Sequence, residues 1–186
     1  MPWTNGHVFL FHGTNTAALG LHTAPQRGTT LAFRPQAAHG RRLYDFGLGF
    51  YTTTWEHQAE QWANDSLRKR RAAAPTFGPQ IGGYALVLRF QVNWEDLASV
   101  AALSFSRDSG DFYDLVAHCR SGRRGHRRAT PRPPHYAVVS GPVSMGQQRL
   151  VIHGADQISF HDQMFINSHL QNPTVSNVAT RPDGLF

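Results

Sequence analysis

The sequence predicts an α+β fold with a mixed or antiparallel sheet. Short apolar runs of strand type stand before, between and after stretches of helix formers. They do not alternate in the regular βαβ units that a parallel sheet requires. The length, 186 residues, is that of one domain, able to bury roughly 70% of its unfolded surface.

The elements follow in order. Residues 7–11, HVFLF, read as a buried strand running into His12-Gly13-Thr14. Residues 15–46 are Gly-, Thr- and Pro-rich and read as an irregular connection. Asp45-Phe46-Gly47-Leu48-Gly49-Phe50-Tyr51-Thr52-Thr53-Thr54 reads as a second strand with two glycines at its entrance. A helix is expected over 56–70, with Thr54 as N-cap, Ala59, Trp62 and Ala63 on one face, and acids before bases as the helix dipole prefers. Residues 72–83 form a Pro/Gly loop, and Tyr84–Val92 is the clearest strand, rich in β-branched and aromatic residues. Two helical pieces, WEDLASVAAL and DFYDLVAHC, are expected within 94–118. Tyr136–Ser140 and Arg149–His153 read as strands separated by a Gly141-Pro142 turn. Gln157–Phe160 is another short strand, and Asp162–Leu170 a short helix. The expected domain covers residues 1–170, with 171–186 a mobile polar tail.

Composition excludes several classes. Hydrophobic residues at 40% argue against a disordered chain. No apolar run approaches 18 residues, so no membrane span is expected. The N-terminal residues lack the pattern of a secretory signal. The single cysteine, Cys119, excludes an intramolecular disulfide and points to a reducing compartment. The expected location is cytoplasmic, in the producing cell or in a target cell after delivery. The eleven histidines are scattered without ligand spacing, so no metal is expected. The 18 basic and 12 acidic residues leave +6, and only Lys69 is lysine. The positive balance is consistent with an anionic partner such as nucleic acid, and the bias of arginine over lysine reads either that way or as codon bias in a GC-rich genome. The loop over 120–134 holds six arginines among Gly and Pro: Arg120, Arg123, Arg124, Arg127, Arg128 and Arg132. It reads as a flexible loop that contacts an RNA or DNA backbone, or else as a solvated surface loop.

Two fragments bear chemistry. Gly47 and Gly49 permit positive φ and close approach to the backbone, ahead of a strand tyrosine, Tyr51. His12 ends a buried strand and is followed by Gly13, so its imidazole can meet a hydroxyl while the glycine backbone meets a flat amide edge. Each fragment alone has a bland reading, a bulge with a core tyrosine and a satisfied strand-end histidine. The DFG triplet has no accompanying kinase elements and is a chance match.

In combination the blocks resemble the ADP-ribosyltransferase superfamily, in the branch shared by diphtheria-type toxins and poly(ADP-ribose) polymerases. The similarity runs through FHGT, GLGFYTTTWEHQAEQWA, Tyr136-Ala137-Val138-Val139-Ser140-Gly141-Pro142-Val143 and Asp156-Gln157-Ile158-Ser159-Phe160, about residues 8–170. The chain resembles the small bacterial domains of that type, often found as toxins. The resemblance implies a split α+β core of two small sheets with flanking helices. It implies an enzyme that uses NAD as substrate, releases nicotinamide and transfers ADP-ribose to a macromolecular acceptor, RNA favoured over protein or DNA. An antitoxin or immunity protein is an implied partner. By the same resemblance the catalytic set is His12, Tyr51 and Gln157. His12, Gly13, Thr14, Gly49, Tyr51 and Trp62 would hold the nicotinamide-ribose end, with Tyr51 stacked on the ring. Arg34 and Arg42 are candidates for the pyrophosphate, and Arg123, Arg124, Arg127 and Arg128 for the acceptor.

One position departs from the pattern. Many relatives carry glutamate where Gln157 stands, and this chain has only Glu56, Glu60 and Glu95. The arginine-modifying toxin subclass, which needs a late glutamate, is therefore excluded. Glutamine accepts a hydrogen bond from a ribose hydroxyl but cannot act as general base. Asp156 and Asp162 are the nearest carboxylates in sequence, although Asp156 should face the other side of its strand. The alternatives are a nucleic-acid-binding domain with a degenerate NAD cleft, an NAD glycohydrolase, and a histidine-based ribonuclease.

Overall fold

The computed structural model describes residues 6–37, 44–73, 83–123, 125–126, 135–145, 149–182 and 184–186. The architecture is mixed α+β, with two sheets and, among the described residues, four α-helices. In chain order the elements are β1 (His7–Asn15), a 3-10 helix (Thr16–Leu19), β2 (Phe50–Thr52), α1 (Glu56–Ala72), β3 (Ala85–Asn93), α2 (Trp94–Ala98), β4 (Ala102–Ser104), α3 (Gly110–Arg120), β5 (Val138–Ser144), β6 (Val151–Phe160), α4 (Gln163–His169) and β7 (Thr174–Val178). One sheet has the order β1-β3-β7 and the other β2-β6-β5-β4.

The chain divides into two compact units. The first takes the described residues within 1–8, 34–51 and 92–170; the second takes those within 9–33, 52–91 and 171–186. In the first unit, Phe46 packs with Phe112, Leu115, Val116, Cys119 and Val139. The β5–β6 pairing is antiparallel, with Gly141 opposite Gln157 and Val138 opposite Phe160. Helix α3 starts cleanly because the Ser109 side chain accepts from the Phe112 amide, a contact of the kind that contributes about 1 kcal/mol. In the second unit, α1 buries Gln58, Ala59, Ala63 and Leu67, and Ala63 and Leu67 pack with Ala85 and Ala179.

Several expectations are corrected. Residues 171–186 are not a tail beyond the domain. Thr174–Val178 forms β7, antiparallel to β3, with Val175 and Ser176 buried. The expected helix WEDLASVAAL stops at Ala98, and its last two residues, Ala102 and Leu103, open the strand β4, parallel to β5. Gly141-Pro142 is no turn, since β5 runs through it. That is tolerated because β4 ends opposite Ser140, so Pro142 owes no amide hydrogen to it, and the register shifts between Pro142 and Ser144. The N-cap of α1 is Trp55 rather than Thr54. Thr53, buried two residues before it, accepts from the Trp55 amide at its hydroxyl (3.1 Å). No helix among the described residues is long and apolar enough to cross a membrane.

Candidate functional site

In the first unit the functional side chains gather on the turn that precedes β2. Gly47 takes φ +81°, a conformation that side chains rarely adopt, and its amide bonds back to Tyr44 O (3.1 Å). Tyr51 closes the turn from the strand side. Its hydroxyl donates to Gly47 O (2.7 Å) and accepts from the Phe46 amide (3.1 Å). Burial pushes that hydroxyl well above the ordinary tyrosine range, so it is no acid or base at neutral pH. Its ring lies 5.0 Å from that of Tyr44, tilted by 42°.

Two histidines hold the same turn. His126 Nε2–H donates to Phe46 O (3.0 Å), and its Nδ1 accepts from the Tyr136 amide (2.9 Å). His161 Nδ1–H donates to Leu48 O (2.7 Å), and its Nε2 accepts from Ser159 Oγ (2.8 Å). The carbonyl partner fixes each tautomer. Their rings meet edge to face at 4.4 Å. Burial is the largest cause lowering both, to about 4 for His126 and about 3 for His161, so both are neutral at pH 7. Gly49 answers to this arrangement: a Cβ there would lie 2.8 Å from His161 Cε1 and 3.0 Å from Phe160 O. The close approach expected at this glycine is made by the protein's own histidine.

Asp45, 4% exposed, brings a carboxylate into this network's hydrogen bonds. Oδ2 accepts from the Ser144 amide (2.8 Å) and from Gln157 Nε2 (2.7 Å). Oδ1 accepts from Ser144 Oγ (2.9 Å) and is ion-paired with Arg120. Gln157 Nε2 also donates to Pro142 O (2.9 Å). Gln157 and Tyr51 thus reach adjacent residues of one turn. The carboxylate beside Gln157 is Asp45, not Asp156 or Asp162. Asp162 is the N-cap of α4, accepting from the Met164 amide (2.8 Å). Arg120, counted with the basic loop, is the partner of Asp45. Cys119 is buried, its thiol pushed up to about 12 by desolvation and then by Asp45, which leaves it inert.

His12, Gly13, Thr14 and Trp62 belong to the second unit. Gly13 has a packing reason of its own: a Cβ there would sit 2.0 Å from Ala59 O and 2.7 Å from Ala63 N of α1. His12 is half-buried and Thr14 buried on β1, while Trp62 is half-buried, beside the fully buried face of α1. Arg34 and Arg123 are exposed. Arg42, Arg124, Arg127 and Arg128 lie outside the described residues. In the basic segment at the end of α1, Arg68 pairs with Asp65 (2.7 Å) and Arg71 donates to Gly83 O (3.2 Å) and Pro182 O. No group of three or more His, Cys, Asp or Glu among the described residues is arranged to hold a metal.

Sequence reasoning missed Asp45, Arg120, Ser144, His126 and His161. Of these only Asp45 carries a sequence signal, standing at the head of the Asp45–Thr54 segment with no role assigned to it.

The chain belongs to the family described as "protein of unknown function (DUF3990)", which it matches over residues 28–154, more than half its length. No curated protein and no solved structure matches it.

Proposed function

We propose that the protein is an NAD-dependent mono-ADP-ribosyltransferase of bacterial-toxin type, acting on a macromolecular acceptor, with RNA favoured. The observation that supports this reading most is the joining of two separate motif blocks. Tyr51, from the GLGFY block, and Gln157, from DQISF, are hydrogen-bonded to neighbouring residues of one buried turn. Tyr51's hydroxyl is committed to the turn, so its contribution is a fixed ring against which a planar nicotinamide stacks. By the resemblance alone, His12 and the Gly13 backbone are assigned the ribose and the amide. In the reaction the bond between ribose and nicotinamide breaks, a bond to the acceptor forms, and the acceptor's proton passes to solvent. Gln157 orients a ribose hydroxyl without taking its proton. The antitoxin or immunity partner and the cytoplasmic site of action belong to the same reading.

A second reading is favoured by the glycines. Gly13 and Gly49 are both accounted for by packing within their own units, as in a scaffold that has kept the fold and lost the reaction. The experiment that separates the two is incubation with labelled NAD and total RNA or cell extract. The transferase releases nicotinamide and labels a macromolecule, and hydrolysis alone gives free ADP-ribose. Tyr51→Phe keeps the ring and should retain NAD binding, whereas Tyr51→Ala should lose at least about tenfold, the equivalent of roughly 1.4 kcal/mol. Absence of both NAD binding and turnover in the wild type, with salt-dependent RNA binding intact, establishes the second reading.

A further inference from the structure

We propose that Asp45 is the positioning residue of this site: its carboxylate holds the Gln157 amide in the one orientation that leaves Oε1 as the acceptor, so that the group met there is a hydroxyl rather than a carbonyl. The identity of that hydroxyl, a ribose hydroxyl of NAD, rests on the function proposed above; the orientation of the amide does not.

The argument is one of donor and acceptor inventory. A glutamine amide has two hydrogens and one acceptor oxygen. Both hydrogens of Gln157 face acceptors, Asp45 Oδ2 at 2.7 Å and Pro142 O at 2.9 Å. The reversed amide would set its oxygen against a carboxylate and a carbonyl, two lone-pair contacts in a buried place. Asp45 is itself fixed by Arg120 and by both polar groups of Ser144, so it cannot turn away to relieve such a flip. A hydrogen bond to a charged acceptor is stronger than a neutral one, and it polarises the amide so that Oε1 becomes the better acceptor. The negative charge that a glutamate would bring to position 157 is thereby kept one residue contact away, where it orients and polarises without removing a proton.

The first test measures NAD turnover by the full chain. Asp45→Asn keeps the shape but offers one acceptor oxygen in place of two, which frees the Gln157 amide to reverse. We expect kcat to fall about tenfold or more, with KM for NAD within about threefold, because the lost interaction acts on orientation. An Asp45→Asn protein that folds and keeps kcat within about twofold overturns the proposal.

The second test needs no activity. Gln157→Glu sets a second carboxylate beside Asp45, with Arg120 the facing cation. Tyr51 and Cys119 also feel Asp45, but both stay neutral between pH 4 and 8, and Asp156 lies on the other face of β6. Like-charge repulsion raises the pair's pKa above its unfolded value. The pair's contribution to stability is then full at low pH and is lost as pH rises through the raised value. The thermal midpoint of Gln157→Glu should match that of the wild type near pH 4 and fall below it by several degrees near pH 8, about 2–4 °C for each kcal/mol. A gap between the two that does not change with pH overturns the proposal whatever the NAD assay gives. A wild type that neither binds nor turns over NAD removes the functional reading, and the pH test still decides the Asp45–Gln157 pairing.

Discussion

Two glycine-containing segments, the 44–49 turn and the His12–Thr14 stretch of β1, are held in different ways. The turn is held by side chains that come from far along the sequence: Tyr51, His126 and His161 on its carbonyls, and Arg120, Ser144 and Gln157 on Asp45. The β1 stretch is held by main chain, with α1 laid directly against Gly13 and a Phe11–Thr53 bridge beside it. The two therefore tolerate change differently. A side chain can swing aside at some cost, whereas a helix backbone has nowhere to go.

Gly13→Ala should do the most damage. Its Cβ would collide with the α1 backbone at 2.0 Å, and we expect a loss on the order of 3 kcal/mol or failure to fold, read from the urea midpoint. Gly49→Ala should cost less, about 2 kcal/mol, because the His161 ring can turn and only Phe160 O stays fixed. Equal costs at the two glycines would dissolve the distinction between side-chain and main-chain support.

The third prediction sharpens the turn. The folded values of His126 and His161 are lowered, to about 4 and about 3, against an ordinary value near 6.5. Stability is therefore full above about pH 6.5 and is lost as pH falls toward those values, because the unfolded chain takes up the protons first. Between pH 7.5 and 5.5 the expected loss is about 1 kcal/mol per histidine. His126→Gln, whose amide can replace both ring hydrogen bonds without titrating, should flatten that acid limb. An acid limb as steep as the wild type's would remove His126 from the account.

Much of the fold could be read locally. β1, α1 and β3 follow from apolar runs and helix formers within their own windows. β4 did not, because Ala102-Leu103-Ser104 has no strand preference of its own and is a strand only beside Val138–Ser140. β7 was hidden in a polar stretch, where Val175 alone marks the buried side and pairing with β3 supplies the rest. At the candidate site, Tyr51 and Gln157 were legible from their motif blocks. What holds them was not. Asp45 meets Arg120, Ser144 and Gln157 across 75, 99 and 112 residues, and no periodicity encodes a contact of that span. The histidines misled in the opposite sense: scattered in sequence, they suggested nothing, yet His126 is a ring neighbour of both His135 and His161.

The long reach of those contacts bears on folding. Bringing distant segments together costs chain entropy before any contact repays it. Beyond the Gly47–Tyr44 bond, the partners of the 44–49 turn lie on β2, α3, β5, β6, the His126 segment and His161. Its hydrogen bonds are complete only when those elements are in place. A chain still emerging from the ribosome, with β6 unsynthesised, therefore lacks Gln157 and cannot assemble the contacts that join Tyr51 and Gln157 to this turn.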